Sequence, residues 1–136
     1  MDLAADANVL LSATIGGRAK LVFSHPHVGE IFTTEHTIAE VQEYALVLGR
    51  KKRLPSDVLL MAVAALPVKI ISRSRYAKSI PAAEKHIGRR DPDDVELLAL
   101  ALQLEIPVWS NDKDFGGLPI ELFTTERLLR QLEIIL

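Results

Sequence analysis

The sequence predicts a three-layer α/β/α fold in which helices cover both faces of a mainly parallel sheet. Two observations predict it. Short apolar segments alternate along the chain with longer segments whose apolar residues recur at helical spacing, as in successive βαβ units. About half of the 136 residues (49%) are hydrophobic, which is enough for a packed core. The chain has no internal repeat or linker, so we expect one domain over residues 1–136.

The first third of the chain begins with a brief buried strand, Leu3-Ala4-Ala5, that ends at Asp6. Two short helices are expected over residues 8–13 and 18–24, the second ending before Pro26. Residues 30–33 are β-prone. Thr34 then caps a helix that runs to Leu48 and is closed by Gly49. One face of that helix carries Ile38, Val41, Ala45 and Leu48.

The middle of the chain predicts a helix that starts at Pro55 and runs to Leu66, where Pro67 breaks it. Residues 68–72 form a buried strand. A loop with a short helix near residues 82–86 follows, and Asp91-Pro92 then begins another helix, with Asp91 as N-cap and Pro92 at the first helical position. That helix covers residues 93–104.

The last third predicts a strand over residues 107–110 and a polar loop over residues 111–117. A final strand covers residues 120–123. Thr124 caps a closing helix that reaches Ile134. Each strand is therefore separated from the next by a helix or a long connection, which favours parallel pairing.

Charge is unevenly distributed, although the net charge is only −2. The segment 50–90 holds eleven Lys and Arg residues against two acids, and the rest holds five Lys and Arg against sixteen acids. A basic middle suits contact with phosphates, provided that the acids converge on a pocket where a cation neutralises them. Alternatively, Arg50 to Arg53 are a solvated helix end, where cations suit the helix dipole.

Several classes of protein are disfavoured. The chain has no cysteine, which excludes disulfides, zinc–thiolate sites and a cysteine nucleophile. Met1 leads directly to Asp2 and Asp6 rather than to a signal peptide, and no run of about 18 apolar residues is present. We therefore expect a cytoplasmic protein with no membrane partner.

Acidic residues follow the predicted strands at the points where ligands bind in parallel sheets. Asp6 ends the first strand, Asp112 and Asp114 follow the 107–110 strand, and Glu40 and Asp94 lie on helices. Such carboxylates suit Mg²⁺ or Mn²⁺, which cancels their repulsion and activates phosphate and water. Each acid also has a structural interpretation. The helix-terminal acids would be Asp6, Asp91, Asp93 and Asp94, and the turn residues would be Asp112 and Asp114. Glu40 would be a solvent-facing helix residue, and Glu43 is its rival as the helical acid of the site.

Four segments resemble the PIN domain family, including the VapC-type toxin ribonucleases. They are Asp6-Ala7-Asn8-Val9-Leu10-Leu11, Ile38-Ala39-Glu40-Val41, the run from Asp91-Pro92-Asp93-Asp94 to Ala101, and the run Val108-Trp109-Ser110-Asn111-Asp112-Lys113-Asp114-Phe115. Ser110 stands where the family more often has Thr, which keeps the hydroxyl. The resemblance spans nearly the whole chain and implies a PIN-like fold.

The resemblance also implies roles for individual residues. Asp6, Glu40, Asp94 and Asp112 would form the catalytic acidic site, with Asp114 as a further metal ligand. Asn8 and Ser110 would hydrogen-bond the carboxylates. Metal-dependent hydrolysis of RNA is the implied activity, and the family's toxins act as homodimers that a small antitoxin neutralises. Basic residues that we expect to meet RNA are Arg73, Arg75, Lys78, Arg89 and Arg90.

Two alternatives to a ribonuclease toxin remain open at this stage. One is a non-catalytic PIN-like module that binds RNA or protein. The other is a different acid-metal enzyme, such as a phosphatase or a DNA nuclease, although a phosphatase with an Asp nucleophile usually carries D-x-D where this chain has Asp6-Ala7-Asn8. For the dimer face, Leu59, Leu60 and Val63 are candidates, with burial in the core as the competing interpretation.

Overall fold

Five short strands form the sheet in the computed structural model, which describes residues 1–112 and 117–135. They are β1 (Leu3–Ala5), β2 (Ile31–Thr34), β3 (Lys69–Ile71), β4 (Val108–Trp109) and β5 (Leu122–Phe123). Their order across the sheet is β3-β2-β1-β4-β5, and every neighbouring pair is parallel. The prediction of a parallel sheet is confirmed, and β1 lies at its centre.

Helices connect these strands. They are α1 (Ala7–Thr14), α2 (Lys20–Phe23), α3 (Glu35–Lys52), α4 (Ser56–Ala64), α5 (Ile80–Ile87), α6 (Val95–Leu104) and α7 (Thr125–Ile135). Short 3-10 turns cover Arg73–Arg75, Ala77–Ser79 and Pro92–Asp94. The segment before α5 is therefore more helical than the predicted loop. In the described part of the chain, no helix combines the length and apolar character that membrane crossing requires.

The two faces of the sheet carry separate cores. Leu3 and Ala5 of β1 pack with α1, α3, α4 and α7, whereas Ala4 packs with α5 and α6. Trp109 and Val108 of β4 divide between the two cores in the same way. Because successive side chains of a strand point to opposite faces, a strand buried on both sides is apolar throughout. This arrangement confirms the three-layer α/β/α prediction.

Helix α3 begins as predicted but ends later. The Thr34 hydroxyl accepts a hydrogen bond from the Thr37 N–H at 2.9 Å. The predicted end at Gly49 is wrong, since the helix continues to Lys52 and Arg53 takes the left-handed conformation (φ 55°). A Cβ on Gly49 would lie 2.9 Å from the Leu59 Cδ1 atom. The glycine thus serves close packing of α3 against α4 rather than helix termination.

The prediction of a buried β3 is also corrected, whereas the core interpretation of two α4 residues holds. Strand β3 is an edge strand, and its residues Lys69 and Ile70 are exposed rather than buried. On α4, Leu59 and Val63 are 6% and 3% exposed and belong to the core, so the competing interpretation of these two residues holds. The exposed apolar side chains of this helix are Val58 and Met61.

Candidate active site

The carboxyl ends of the two central strands place Asp6 and Ser110 beside each other. Ala5 pairs with Trp109 in the register of β1 and β4, and the Asp6 N–H donates to the Trp109 carbonyl at 3.0 Å. Asp6 and Ser110 are the next residues along their strands. Parallel strands end at the same sheet edge, which is where ligands of such sheets bind. The strands therefore join two residues that lie 104 positions apart.

Hydrogen bonds fix the Asp6 carboxylate in place. Its Oδ1 atom accepts from the Ala7 N–H at 2.7 Å, which caps α1, and its Oδ2 atom accepts from the Ser110 hydroxyl at 2.6 Å. The Ser110 Oγ atom in turn accepts from the Asp112 N–H at 2.9 Å. Asp6 therefore both caps α1 and belongs to the site, so its structural and functional interpretations hold together. Ser110 therefore links the Asp6 carboxylate to the backbone of Asp112.

Three carboxylates converge beside this pair. One oxygen each from Asp91, Asp94 and Asp112 lie within 4.8 Å of one another. Asp94 is only 8% exposed, and its Oδ2 atom has no hydrogen-bond partner among the described residues. A buried carboxylate oxygen without a partner is costly unless a cation or water satisfies it. The oxygen-only donor set therefore fits a hard divalent cation of the Mg²⁺ or Mn²⁺ type.

Asp91 is the carboxylate of the converging cluster that sequence analysis missed. The sequence predicts it as an N-cap, but its side chain makes no capping hydrogen bond to the turn that follows. Its backbone carbonyl instead accepts from the Asp94 N–H at 3.1 Å, which curls the turn so that both side chains reach the cleft. The 3-10 turn Pro92–Asp94, which helix spacing does not predict, produces this arrangement.

These acids line a small cleft of about 190 Å³, called here the acidic cleft. Its lining residues are Asp6, Ala7, Asn8, Glu40, Tyr44, Asp91, Asp93, Asp94 and Asp112. Glu40 is half-buried in it, whereas Glu43 is exposed and absent from the lining. Asn8 is exposed at the rim. Asp114 lies outside the described residues.

Burial and mutual repulsion disfavour negative charge in the cleft. The pKa of Asp94 is raised to about 9, first by burial, then by its hydrogen bond with Asp91 and by the charge of Asp6. Burial also raises the pKa of Asp6, against the hydrogen bonds from Ser110 and Ala7. Carboxylates whose ionised forms are this unfavourable become stable anions when a cation joins them.

Glu40 occupies the α3 side of the cleft. Burial raises its pKa to about 6, and the charges of Asp93 and Asp6 act in the same direction. The His36 Nε2 atom lies 3.5 Å from Glu40 Oε1 and 3.9 Å from Asp93 Oδ1. The Tyr44 hydroxyl donates to Glu40 at 3.5 Å. A carboxyl with a pKa near neutrality is suited to proton exchange.

The five predicted RNA-contacting residues, which are Arg73, Arg75, Lys78, Arg89 and Arg90, are all exposed. None of them lines the acidic cleft. Arg73 and Arg89 line a neighbouring cavity that also contains His36. Arg73 and Arg89 therefore share a cavity with His36, which contacts Glu40 of the acidic cleft.

The metal-free protein is expected to lose stability as pH rises from 5 to 8. The folded-state pKa of Asp94, about 9, exceeds the unfolded value of 3.8, so the native state binds more protons in this window. Stability contributed by the protonated group is present at low pH and is lost on approach to pH 9. We expect a decrease on the order of 2 kcal/mol, measured by urea unfolding with a chelator. Asp94→Asn should flatten this dependence, whereas equal slopes in both proteins would contradict the assignment.

The fold and the cleft together define a class of protein: a three-layer α/β/α domain with a carboxylate site at the carboxyl edge of its parallel sheet. The family model of the PIN domain matches residues 5–133. The chain belongs to the PIN domain family. A search of curated protein sequences finds no match.

Solved structures with the same fold include several toxin–antitoxin proteins. VapBC2 from Rickettsia felis, bound to a promoter DNA fragment, has a TM-score of 0.68 at 13% identity and covers 91% of this chain and 98% of its own. VapBC-1 from nontypeable Haemophilus influenzae has a TM-score of 0.67 at 14% identity over 93% and 99%. VapC20 from Mycobacterium tuberculosis, described as a sarcin–ricin loop cleaving toxin, has a TM-score of 0.61 at 18% identity over 87% and 95%.

Proposed function

We propose that this protein is a Mg²⁺- or Mn²⁺-dependent endoribonuclease and the toxin of a type II toxin–antitoxin pair, acting in the cytoplasm. The observation that carries the proposal is the convergence of Asp91, Asp94 and Asp112 within 4.8 Å beside the hydrogen-bonded Asp6. Membership of the PIN domain family and the likeness to VapC20, a sarcin–ricin loop cleaving toxin, support it.

Asp6, Asp94 and Asp112, joined by Asp91, would hold the cation, and Asp114 would be a further ligand. When bound, the cation neutralises the carboxylates and supplies Lewis-acid activation of the scissile phosphate and the attacking water. Ser110 keeps the Asp6 carboxylate oriented through its 2.6 Å hydrogen bond. Asn8 at the rim would contribute a further hydrogen bond.

Glu40 would act as the proton acceptor of the site. Its pKa of about 6 leaves it mostly ionised at neutral pH yet able to take up a proton at Oε1 or Oε2. His36 and Tyr44 restrain its side chain at 3.5 Å each. The acid would therefore face the substrate in a defined position.

We propose three partners for this protein. The RNA substrate would contact Arg73, Arg75, Lys78, Arg89 and Arg90. A small antitoxin is supported by the structural likeness to VapBC2 and VapBC-1 and to a toxin–antitoxin complex from Klebsiella pneumoniae, which has a TM-score of 0.63 at 20% identity. A homodimer is supported by the exposed apolar residues Val58 and Met61 on α4.

The experiment that tests the proposal compares three substrates with and without Mn²⁺. Single-stranded RNA, duplex DNA and a small phosphate ester separate a ribonuclease from a DNA nuclease and from a phosphatase. We expect cleavage of RNA alone, lost on chelation and restored by Mn²⁺. Binding of RNA with no Mn²⁺ binding in a titration would instead indicate a non-catalytic module.

Glu40→Gln is expected to lower the rate of RNA cleavage about 100-fold, because the amide cannot accept the proton. Mn²⁺ affinity should change less than the rate. Glu43→Gln is the matched control, since Glu43 lies three residues after Glu40 on α3, is exposed and does not line the cleft. Single-turnover cleavage rates at saturating Mn²⁺ provide the measurement. Equal rates for the two variants would remove Glu40 from the mechanism.

A further inference from the structure

A second cavity lies beside the acidic cleft and has a different chemical character. It has a volume of about 380 Å³, within the range of pockets that bind small molecules. Its lining includes the cationic side chains of Arg73 and Arg89 and the imidazole of His36, together with the apolar side chains of Ile80 and Val95. We call it the side cavity.

The two cavities share their walls. Along the segment that leads into α6, Asp91, Asp93 and Asp94 line the acidic cleft, whereas Pro92 and Val95 line the side cavity. On α3, His36 lines the side cavity and contacts Glu40, one helical turn further on, which lines the acidic cleft. If one phosphate of a polymer lay at the acids, an adjoining unit would lie on the side of the side cavity.

The cations of the side cavity include one that is held in place. Arg73 Nε lies 3.5 Å from Glu96 Oε2, and Glu96 Oε1 accepts a 2.5 Å hydrogen bond from the Tyr76 hydroxyl. Glu96 is only 16% exposed and Tyr76 is buried. This chain of contacts orients the guanidinium, although its remaining N–H groups still face solvent because the side chain is 67% exposed. Arg89 adds a second exposed guanidinium.

The lining suits a nucleotide better than a bare phosphate. Ile80 and Val95 line the cavity and are 8% and 7% exposed, so they give it a small apolar patch that part of a base can contact. Arginine forks bind phosphate oxygens. Glu84 and the paired Glu96 also line the cavity, and their negative charges would disfavour a ligand that is purely anionic.

We propose that the side cavity binds one unpaired nucleotide next to the scissile phosphate, with Arg73 and Arg89 on the backbone phosphate and the base against Ile80 and Val95. The inference rests on the proposed nuclease function and assigns the nucleotide that adjoins the scissile phosphate to this cavity. A base inside a duplex is stacked and paired, so it cannot enter a pocket without being turned out.

Two measurements on the intact protein test this inference. Fluorescence anisotropy with a labelled single-stranded oligoribonucleotide in a chelator gives binding, and cleavage in Mn²⁺ gives kcat and KM. The variant is Arg73→Ala with Arg89→Ala. Its control is Arg50→Ala with Arg130→Ala, which removes two exposed arginines, one of them ion-paired to Glu126 as Arg73 is to Glu96.

We expect the side-cavity variant to bind RNA at least about tenfold more weakly, with KM raised to match and kcat within about twofold. The slope of log K against log salt should fall by about 1.4, since each lost contact with a single strand accounts for about 0.7. The control should stay within about twofold of the wild type. The same RNA annealed into a duplex should bind more weakly than the single strand.

Equal effects of the two double variants, or equal binding of single strand and duplex, would overturn the inference while leaving the nuclease proposal intact. Binding that depends on Arg73 and Arg89 in a protein that never cleaves would leave the inference standing and reject the nuclease proposal. Separate substitutions of Arg73 and Arg89 distinguish loss of a contact from a local rearrangement, because only Arg73 is paired to Glu96.

Discussion

Asp94→Asn is expected to reduce Mn²⁺-dependent RNA cleavage by about 1,000-fold or more while leaving the protein folded. Asp94 is the buried member of the converging carboxylates, and its Oδ2 atom has no hydrogen-bond partner among the described residues. An amide keeps the shape of the side chain but offers a weaker, neutral ligand. The cation would lose the carboxylate whose Oδ2 atom has no hydrogen bond among the described residues.

The same substitution should stabilise the metal-free protein at pH 8. Asp94 is held near Asp6 and Asp91, and its pKa of about 9 means that ionisation opposes folding. At pH 8 the folded protein takes up a proton at Asp94 that the unfolded chain does not hold, and the amide removes this cost, so the free energy of unfolding should rise by on the order of 1–2 kcal/mol in chelator. For an acid that stabilises the fold when ionised, the same substitution would lower the free energy of unfolding.

Asp57→Asn is the matched control for this experiment. Asp57 also lies in the first turn of a helix, α4, but is exposed and does not line the cleft. Cleavage rates and urea midpoints of the two variants are compared with the wild type. Asp6→Asn should follow Asp94→Asn in activity. If Asp6→Asn and Asp94→Asn cut RNA at the wild-type rate, the proposed site is incorrect.

The positions of the site residues that follow strands could be predicted, because the carboxyl ends of parallel strands lie at one edge of the sheet. Asp6 and Ser110 follow apolar segments that had to be buried strands, and burial of both faces places their ends at one edge. The sequence also distinguishes Thr34 as a helix cap. These features depend on local patterns that hold wherever the segments are packed.

Features that depend on tertiary packing were not predictable in the same way. Gly49 has the local signature of a helix end, yet the neighbouring Leu59 requires a residue without a side chain there. Strand β3 is apolar enough for a buried strand, and only its position at the sheet edge exposes Ile70. Propensity decides such positions only when no packing partner overrides it.

Asp91 and Asp93 show the limit most clearly, because sequence analysis gives them the same interpretation. Both are acids at the start of a helix, where the dipole favours negative charge. In the folded chain, Asp91 offers an oxygen to the cluster with Asp94 and Asp112, whereas Asp93 is exposed and faces His36 at 3.9 Å. The 3-10 turn between Pro92 and Asp94 creates this difference.

Asp91→Asn is therefore expected to weaken Mn²⁺ binding about 10- to 100-fold and to reduce cleavage at limiting Mn²⁺ by a similar factor. Asp93→Asn removes the same charge two residues away and should change Mn²⁺ affinity by less than about threefold, since screening at the surface weakens its influence. Mn²⁺ titrations of the two variants at one pH provide the comparison. Saturating Mn²⁺ should restore much of the activity of Asp91→Asn, because the other carboxylates remain. Equal affinities would show that the acids act only through their summed charge, and the geometric convergence at Asp91 would then have no role in binding.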